Sequence, residues 1–103
     1  EASKSGCDPS HAIRIAQKIG TLDGLELQGL MTIGAHVDDE TAIRKGFEHL
    51  RKTRGHILES GEPGTQSCRE LSMGMTGDME LAVAEGSTIV RVGTAIFGER
   101  AFI

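Results

Sequence analysis

Two short turns near the end of the sequence combine glycine with small hydroxyl side chains. Residues 72–78 read Ser-Met-Gly-Met-Thr-Gly-Asp, and residues 93–98 read Gly-Thr-Ala-Ile-Phe-Gly. Each turn follows a short apolar segment of the kind that parallel sheets bury as strands. Backbone N–H groups and hydroxyls that converge in such turns are good donors to a phosphate group. The two turns are therefore candidates for a phosphate-binding site at the ends of successive strands. The alternative is that the Gly-Met turn merely connects a strand to a helix.

Arg91 lies between these turns as the only charged residue of the last apolar segment. An arginine in this place can serve a ligand, or it can form a structural ion pair at a strand end. From its position alone, the structural ion pair is the favoured interpretation. The acidic run Asp38-Asp39-Glu40 could suggest a metal, but acids also favour the start of a helix. Capping is preferred there, and no metal site is predicted.

The composition excludes several classes of function. The chain has 103 residues, enough for one small domain, and its net charge of −4 comes from interspersed acids and bases. No basic surface is indicated, and with three aromatic residues there are few stacking platforms, so no nucleic-acid partner is predicted. No apolar run approaches the roughly 20 residues of a membrane span. Cys7 and Cys68 lack a metal-ligand spacing, which favours reduced thiols in a cytoplasmic protein.

The hydrophobic pattern predicts three helices that alternate with three strands. The helices are expected over Pro9–Gly20 after an Asp8 cap, over Glu40–Glu59 after Asp38 or Asp39, and from a Thr76 or Asp78 cap through Glu85. The strands are expected over Leu25–Ile33, Cys68–Met73 and Ile89–Val92. This alternation is typical of an α/β fold with a parallel sheet.

Three parallel strands cannot close a barrel, and they would leave two open edges. The chain also begins Glu-Ala-Ser-Lys-Ser-Gly, without an initiator methionine, and reads like the interior of a longer protein. We therefore expect a partner, which is either a missing N-terminal half or a second copy of the chain.

Four segments resemble the pyridoxal phosphate homeostasis protein family. They are Ser3-Lys-Ser-Gly, Leu27-Gln-Gly-Leu-Met-Thr-Ile-Gly, Leu71-Ser-Met-Gly-Met-Thr and Gly86-Ser-Thr-Ile-Val-Arg-Val-Gly-Thr-Ala-Ile-Phe-Gly. The resemblance extends over essentially the whole chain in the expected order. It implies the C-terminal half of a (β/α)8 TIM-type barrel like that of alanine racemase. Residues 1–103 would then be one unit holding about strands 6–8 with their flanking helices.

The resemblance also implies which residues bind pyridoxal 5′-phosphate. They are Ser72, Met73, Gly74, Met75, Thr76, Arg91, Gly93 and Thr94. Ser72 would contact the phosphate and Gly93 with Thr94 would clamp it a second time, while Gly74 and Met75 form the turn that approaches it.

The remaining implied roles concern the cofactor ring. Met73 is interpreted first as a packing residue and second as a residue beneath the cofactor. Thr76 stands where many members have serine, and Arg91 would face the pyridine nitrogen. A cation there keeps that nitrogen unprotonated and weakens carbanion chemistry. The family is thought to buffer or deliver the cofactor without robust turnover, so no enzyme and no catalytic residue is predicted. The family's Schiff-base lysine lies near the start of the full-length chain, and none of the four lysines here lies in a matching motif.

Two alternatives belong to other classes. The chain could be a half-barrel fragment or an engineered scaffold that self-associates and binds no cofactor. It could also be part of a pyridoxal-dependent amino-acid racemase, since alanine racemases share an arginine near the last strand. The racemase is less favoured, because we expect no C-terminal β domain after Ile103 of the kind that supplies that enzyme's second acid–base group.

Overall fold

The computed structural model describes residues 6–33 and 39–93. Its strands are β1 (Gly29–Met31), β2 (Glu70–Met75) and β3 (Ile89–Arg91). The helices are a 3-10 turn over Pro9–His11, α1 (Ala12–Gly20), α2 (Glu40–Glu59) and α3 (Met79–Ala84). All strand pairs are parallel and the order in the sheet is β1-β2-β3, which confirms the predicted α/β alternation.

The helix ends follow from local signals in the sequence. The Asp39 carboxylate accepts a hydrogen bond from the Thr41 N–H (2.9 Å), so α2 begins where predicted and also ends where predicted. Asp8 accepts from the Ser10 N–H (2.9 Å) and caps the short 3-10 turn that precedes α1. At the end of α3, Gly86 has φ of +98° and its N–H donates to Val83 O, while the Ser87 N–H donates to Ala82 O. These two bonds form a Schellman motif.

The strands differ from the prediction at their ends. β1 has three residues instead of nine, and Leu25 lies outside it and is 60% exposed. β2 begins at Glu70 rather than Cys68 and continues to Met75. Before it, the Cys68 N–H closes a turn with Thr65 O (3.1 Å). Apolar residues alone predicted both boundaries wrongly, because pairing partners set the ends of a strand.

The buried core lies between the sheet and the helices. One cluster joins Phe47 of α2, Leu71 and Met73 of β2, and Ala82 of α3, all fully buried. A second cluster continues it toward α1 and holds Ala16, Leu27, Ile57 and Cys68. The apolar side of α2, with Phe47 and Ile57 fully buried, therefore faces the sheet. This side of the sheet is called the helical face below.

The other side of the sheet, called the open face below, lacks such a cover among the described residues. Met31, Ser72 and Ile89 form one row across the three strands. Met31 is 61% exposed and Ile89 is 44% exposed, although both are apolar. None of the described helices is long and apolar enough to cross a membrane.

Candidate binding site

An extra residue in β2 shapes the open face. Ser72 pairs with Ile89, but Met75 pairs with Arg91, so three steps along β2 match two steps along β3. A bulge of this kind shifts the alternation of side chains by one residue. As a result, the side chains of Met75 and Arg91 come to the same face as Ser72.

Gly74 makes this irregularity possible. Its φ is +102°, in the region that favours glycine, and the residue is buried. A Cβ atom built on it would lie 2.6 Å from the Cβ of Ala82 in α3. Both the backbone conformation and the close packing of α3 therefore require glycine here.

Two side chains from outside β2 bond the peptide groups on either side of Gly74. The Ser87 hydroxyl lies 2.6 Å from Met73 O, and the Asp78 carboxylate accepts from the Met75 N–H at 2.7 Å. The Asp78 N–H in turn donates to Met75 O (3.3 Å). Asp78 was predicted as a possible cap of α3, and it stands at that position, but its carboxylate reaches back to the turn and caps no helical N–H. That prediction was wrong for the side chain.

Arg91 extends across the sheet at the carboxyl ends of the strands. Its Nη2 donates to Thr32 O (2.7 Å), which directly follows β1, so the side chain passes over β2. Its Nε is buried and has no hydrogen-bond partner in the part of the chain that the structure describes. A guanidinium stays charged and can only donate, so this Nε calls for an acceptor. The ion pair that was the alternative for Arg91 is not formed with any described acid.

The other predicted residues differ in their exposure. Ser72 is half-buried on the open face, and its hydroxyl makes no hydrogen bond to another described residue. Met75 (44% exposed), Thr76 and Gly93 are exposed at the carboxyl ends of the strands. Thr94 lies outside the described residues.

Met73 is the exception. Its side chain is fully buried in the helical-face cluster, on the side of β2 opposite to Ser72. Met73 therefore packs in the core, as the sequence favoured, and its place beneath the cofactor stays a prediction. In the turn expected to approach the phosphate, the Met75 N–H is already bonded to Asp78.

Sequence reasoning missed three contacts in this region. Arg91 donates to the Thr32 carbonyl, and the Ser87 hydroxyl donates to Met73 O. The Asp78 carboxylate accepts from the Met75 N–H. A weak signal existed for Ser87, because a hydroxyl directly after a helix-ending glycine is close to the start of the next strand. The family resemblance had already matched Thr32 to a strand end that lines the cofactor pocket, although not its carbonyl as a partner of Arg91.

Two other kinds of site, a metal centre and a cleft, have less support in the structure. Among the described residues, no group of three or more His, Cys, Asp or Glu side chains could hold a metal ion. A cleft of about 770 Å³ lies between the 3-10 turn, the end of β1 and α2, and its lining includes Cys7, Thr32 and His49. It does not include Ser72, Met75 or Arg91, and it borders residues 6 and 33, where the described ranges end.

Comparisons with known proteins agree on one family. A model of the family described as "Alanine racemase, N-terminal domain" matches residues 1–101. The pyridoxal phosphate homeostasis protein of Vibrio cholerae is 44% identical over 97% of the chain, and that of Helicobacter pylori strain J99 is 42% identical over 96%. The chain spans 41% of the length of each of these relatives.

Solved structures give the same picture. A crystal structure of an unknown protein from Bifidobacterium adolescentis matches 94% of the chain with 86% identity and a TM-score of 0.91, over 38% of its own length. PipY of Synechococcus elongatus, solved with pyridoxal phosphate bound, matches 92% of the chain with 32% identity and a TM-score of 0.81. The match covers 44% of the PipY chain.

Proposed function

The chain belongs to the alanine racemase N-terminal domain family, and from this membership we propose that it binds pyridoxal 5′-phosphate in a non-catalytic cofactor-homeostasis protein. The proposed contacts are on the open face and at the carboxyl ends of β2 and β3. The names of the relatives and the cofactor bound to PipY support the choice of ligand.

Arg91 is the observation that carries this proposal. Thr32 O fixes its Nη2, and its buried Nε is left as a donor without a partner among the described residues. A neutral ring nitrogen is an acceptor that fits such a donor, whereas a protonated one would be repelled by the guanidinium. The cofactor, when bound, supplies an electron sink for carbanion chemistry. An arginine that opposes protonation of its ring nitrogen weakens that sink, which suits storage better than turnover.

The phosphate group would be held by donors at the strand ends. The Ser72 hydroxyl is uncommitted among the described residues and lies on the same face as Arg91. We propose that Thr76, Gly93 and Thr94 complete this binding, with backbone N–H groups and hydroxyls as donors. Because the Asp78 carboxylate takes the Met75 N–H, that group is not counted among them.

The remainder of the site would come from outside these 103 residues. The chain spans 41% of the curated relatives, so we propose that it forms strands 6–8 of a (β/α)8 barrel, which further strands or a second copy complete. Its two cysteines are unpaired, which fits a reducing compartment such as the cytoplasm.

The test compares three probes by equilibrium dialysis, namely pyridoxal phosphate, pyridoxal and inorganic phosphate, with PipY as a positive control. Ser72→Ala combined with Thr94→Ala is expected to lower the affinity for pyridoxal phosphate about tenfold or more and to change that for pyridoxal less. Arg91→Leu is expected to weaken both aldehydes and not inorganic phosphate. Unchanged affinities would overturn the assignment, and racemisation of an amino acid would overturn its non-catalytic part.

A further inference from the structure

We infer that Ser87 and Asp78 are positioning residues for the open-face site. Their bonds to Met73 O and the Met75 N–H hold the extra residue of β2 in place, and through it they keep Ser72 and Arg91 on one face. The inference rests on the proposed function only for its ligand measurements, because the backbone contacts are independent of any ligand.

The first support is the position of the two bonded peptide groups. Met73 O and the Met75 N–H flank Gly74, where the register between β2 and β3 shifts. In a regular parallel ladder such groups bond to the neighbouring strand. A bulge disrupts the ladder locally, and peptide groups beside it then take other partners. Ser87 and Asp78 are these partners.

Ser87 has a geometry suited to this role. Its Oγ lies 2.6 Å from Met73 O, 2.9 Å from Ile89 O and 3.3 Å from Leu71 O. A hydroxyl has one proton, and the shortest of these distances assigns it to Met73 O. Its own N–H is fixed by Ala82 O in the Schellman motif, so the end of α3 holds the Ser87 backbone against β2.

Asp78 works from the other side of Gly74. Its carboxylate accepts from the Met75 N–H, its N–H donates to Met75 O, and its carbonyl accepts from the Ala82 N–H (3.0 Å). The turn after β2 is thereby tied to α3, the helix whose Ala82 contacts Gly74. Because a one-residue slip sends every side chain to the opposite face, loosening either bond should reach Arg91 and Ser72 without direct contact.

The experiment uses four single variants of the chain. Asp78→Ala and Ser87→Ala each remove one bond, whereas Asp78→Asn keeps an acceptor oxygen and removes the charge. Ser67→Ala is the matched control, because the Ser67 hydroxyl also donates to a strand-side carbonyl, Leu27 O (2.6 Å), at the opposite end of the sheet. The measurements are amide hydrogen exchange at Met75, the NMR resonance of Arg91 Nε–H, and the affinities for pyridoxal phosphate and pyridoxal.

We expect Asp78→Ala to speed exchange at Met75 about tenfold, and both alanine variants to shift the Arg91 resonance and weaken pyridoxal phosphate binding about tenfold. Asp78→Asn should have the Met75 exchange rate and the pyridoxal phosphate affinity of the unsubstituted chain. Ser67→Ala should change neither quantity. The inference is overturned if Ser67→Ala weakens binding as much as Ser87→Ala does, or if Asp78→Asn resembles Asp78→Ala. If Ser87→Ala does not fold, the Asp78 pair decides alone.

A failure of the proposed function gives a different result. If the unsubstituted chain binds none of the probes, the ligand is wrong, but the exchange rate at Met75 and the Arg91 resonance still test the positioning role. A normal Arg91 resonance in both alanine variants would then contradict it.

Discussion

The two faces of the sheet use alternate residues of the same strands for different purposes. On the helical face, Leu71 and Met73 are fully buried against Phe47. On the open face, the neighbouring Ser72 and Met75 are partly or largely exposed. Since side chains alternate along a strand, one short segment supplies both the core and the candidate site.

This difference assigns most of the stability to the helical face and leaves the open face for the candidate site. The helical face gains free energy by removing apolar surface from water, whereas the open face contributes little of that kind within the described chain. The residues of the open face are therefore not needed for core packing and are available for a ligand. A donor such as Arg91 Nε can then lack a partner among the described residues. Gly74 affects both faces. It allows α3 to pack closely against β2, and it lies at the register shift that places Met75 and Arg91 on the open face.

The largest effect is expected when the helical face is broken at its centre. Phe47→Ala should lower the free energy of unfolding by about 3–5 kcal/mol, since a fully buried ring is replaced by a cavity. Ile89→Ala on the open face should cost about 1 kcal/mol or less, because Ile89 is already 44% exposed. Urea unfolding followed by circular dichroism measures both. Similar losses would mean that the open face is covered in solution, for example by a second copy.

The next effect tests the residue that joins the faces. Gly74→Ala should destabilise the chain by about 2–4 kcal/mol, because it adds a clash with Ala82 to an unfavourable φ. Gly46→Ala in α2 is the control: its Cβ would meet nothing within 4 Å, so it should stabilise by about 0.5–1 kcal/mol. If both variants change stability in the same direction, the packing described around Gly74 is wrong.

The sequence predicted the helical face better than the open face. The α2 bounds were predicted correctly because Asp39 is a local capping signal and the apolar stripe has the helical period. Strand ends were not, since they depend on hydrogen-bonding partners distant in sequence. Leu25 illustrates this, because it is as apolar as a core residue and yet lies outside any strand.

For the candidate site, the residue types were informative and their orientations were not. Small hydroxyls in a glycine turn pointed to Ser72 as a residue for a ligand, whereas Arg91 was assigned to a ligand only by the family resemblance. The sides of β2 on which Met73 and Met75 lie depend on the bulge at Gly74. That bulge is held by contacts with segments several residues away, which no single-sequence periodicity encodes.

A third prediction concerns pH and the buried thiol of the helical face. Burial raises the pKa of the Cys68 thiol above its ordinary value of about 8.5. The unfolded thiol then ionises at a lower pH than the folded one. Below about pH 8.5 the contribution to stability is therefore complete, and it decreases as the pH rises further, by at most about 1.4 kcal/mol per pH unit.

Unfolding by urea at pH 7.5 and pH 9.5 measures this difference. Cys68→Ala should lose stability through its cavity but show a weaker dependence on pH, because the titrating group is gone. Cys7 is exposed, so Cys7→Ala should keep the dependence of the unsubstituted chain. Equal pH dependence in all three proteins would contradict the assignment to Cys68.

The smallest effect is expected at the outer side of the helical face, where ion pairs rather than apolar contacts join α2 to the end of α3. Glu85 at the end of α3 pairs with Arg44 (3.1 Å) and Arg51 (3.4 Å) of α2, and its side chain is 13% exposed. Because the arginines are largely in water, Glu85→Gln should cost only about 0.5–1 kcal/mol. That cost should shrink in 1 M NaCl, where screening acts over about 3 Å. Glu48→Gln is the control, since Glu48 pairs with Lys52 within α2 and ties no second element to it. A larger, salt-independent loss in Glu85→Gln would mean that this carboxylate is part of the core rather than of its charged rim.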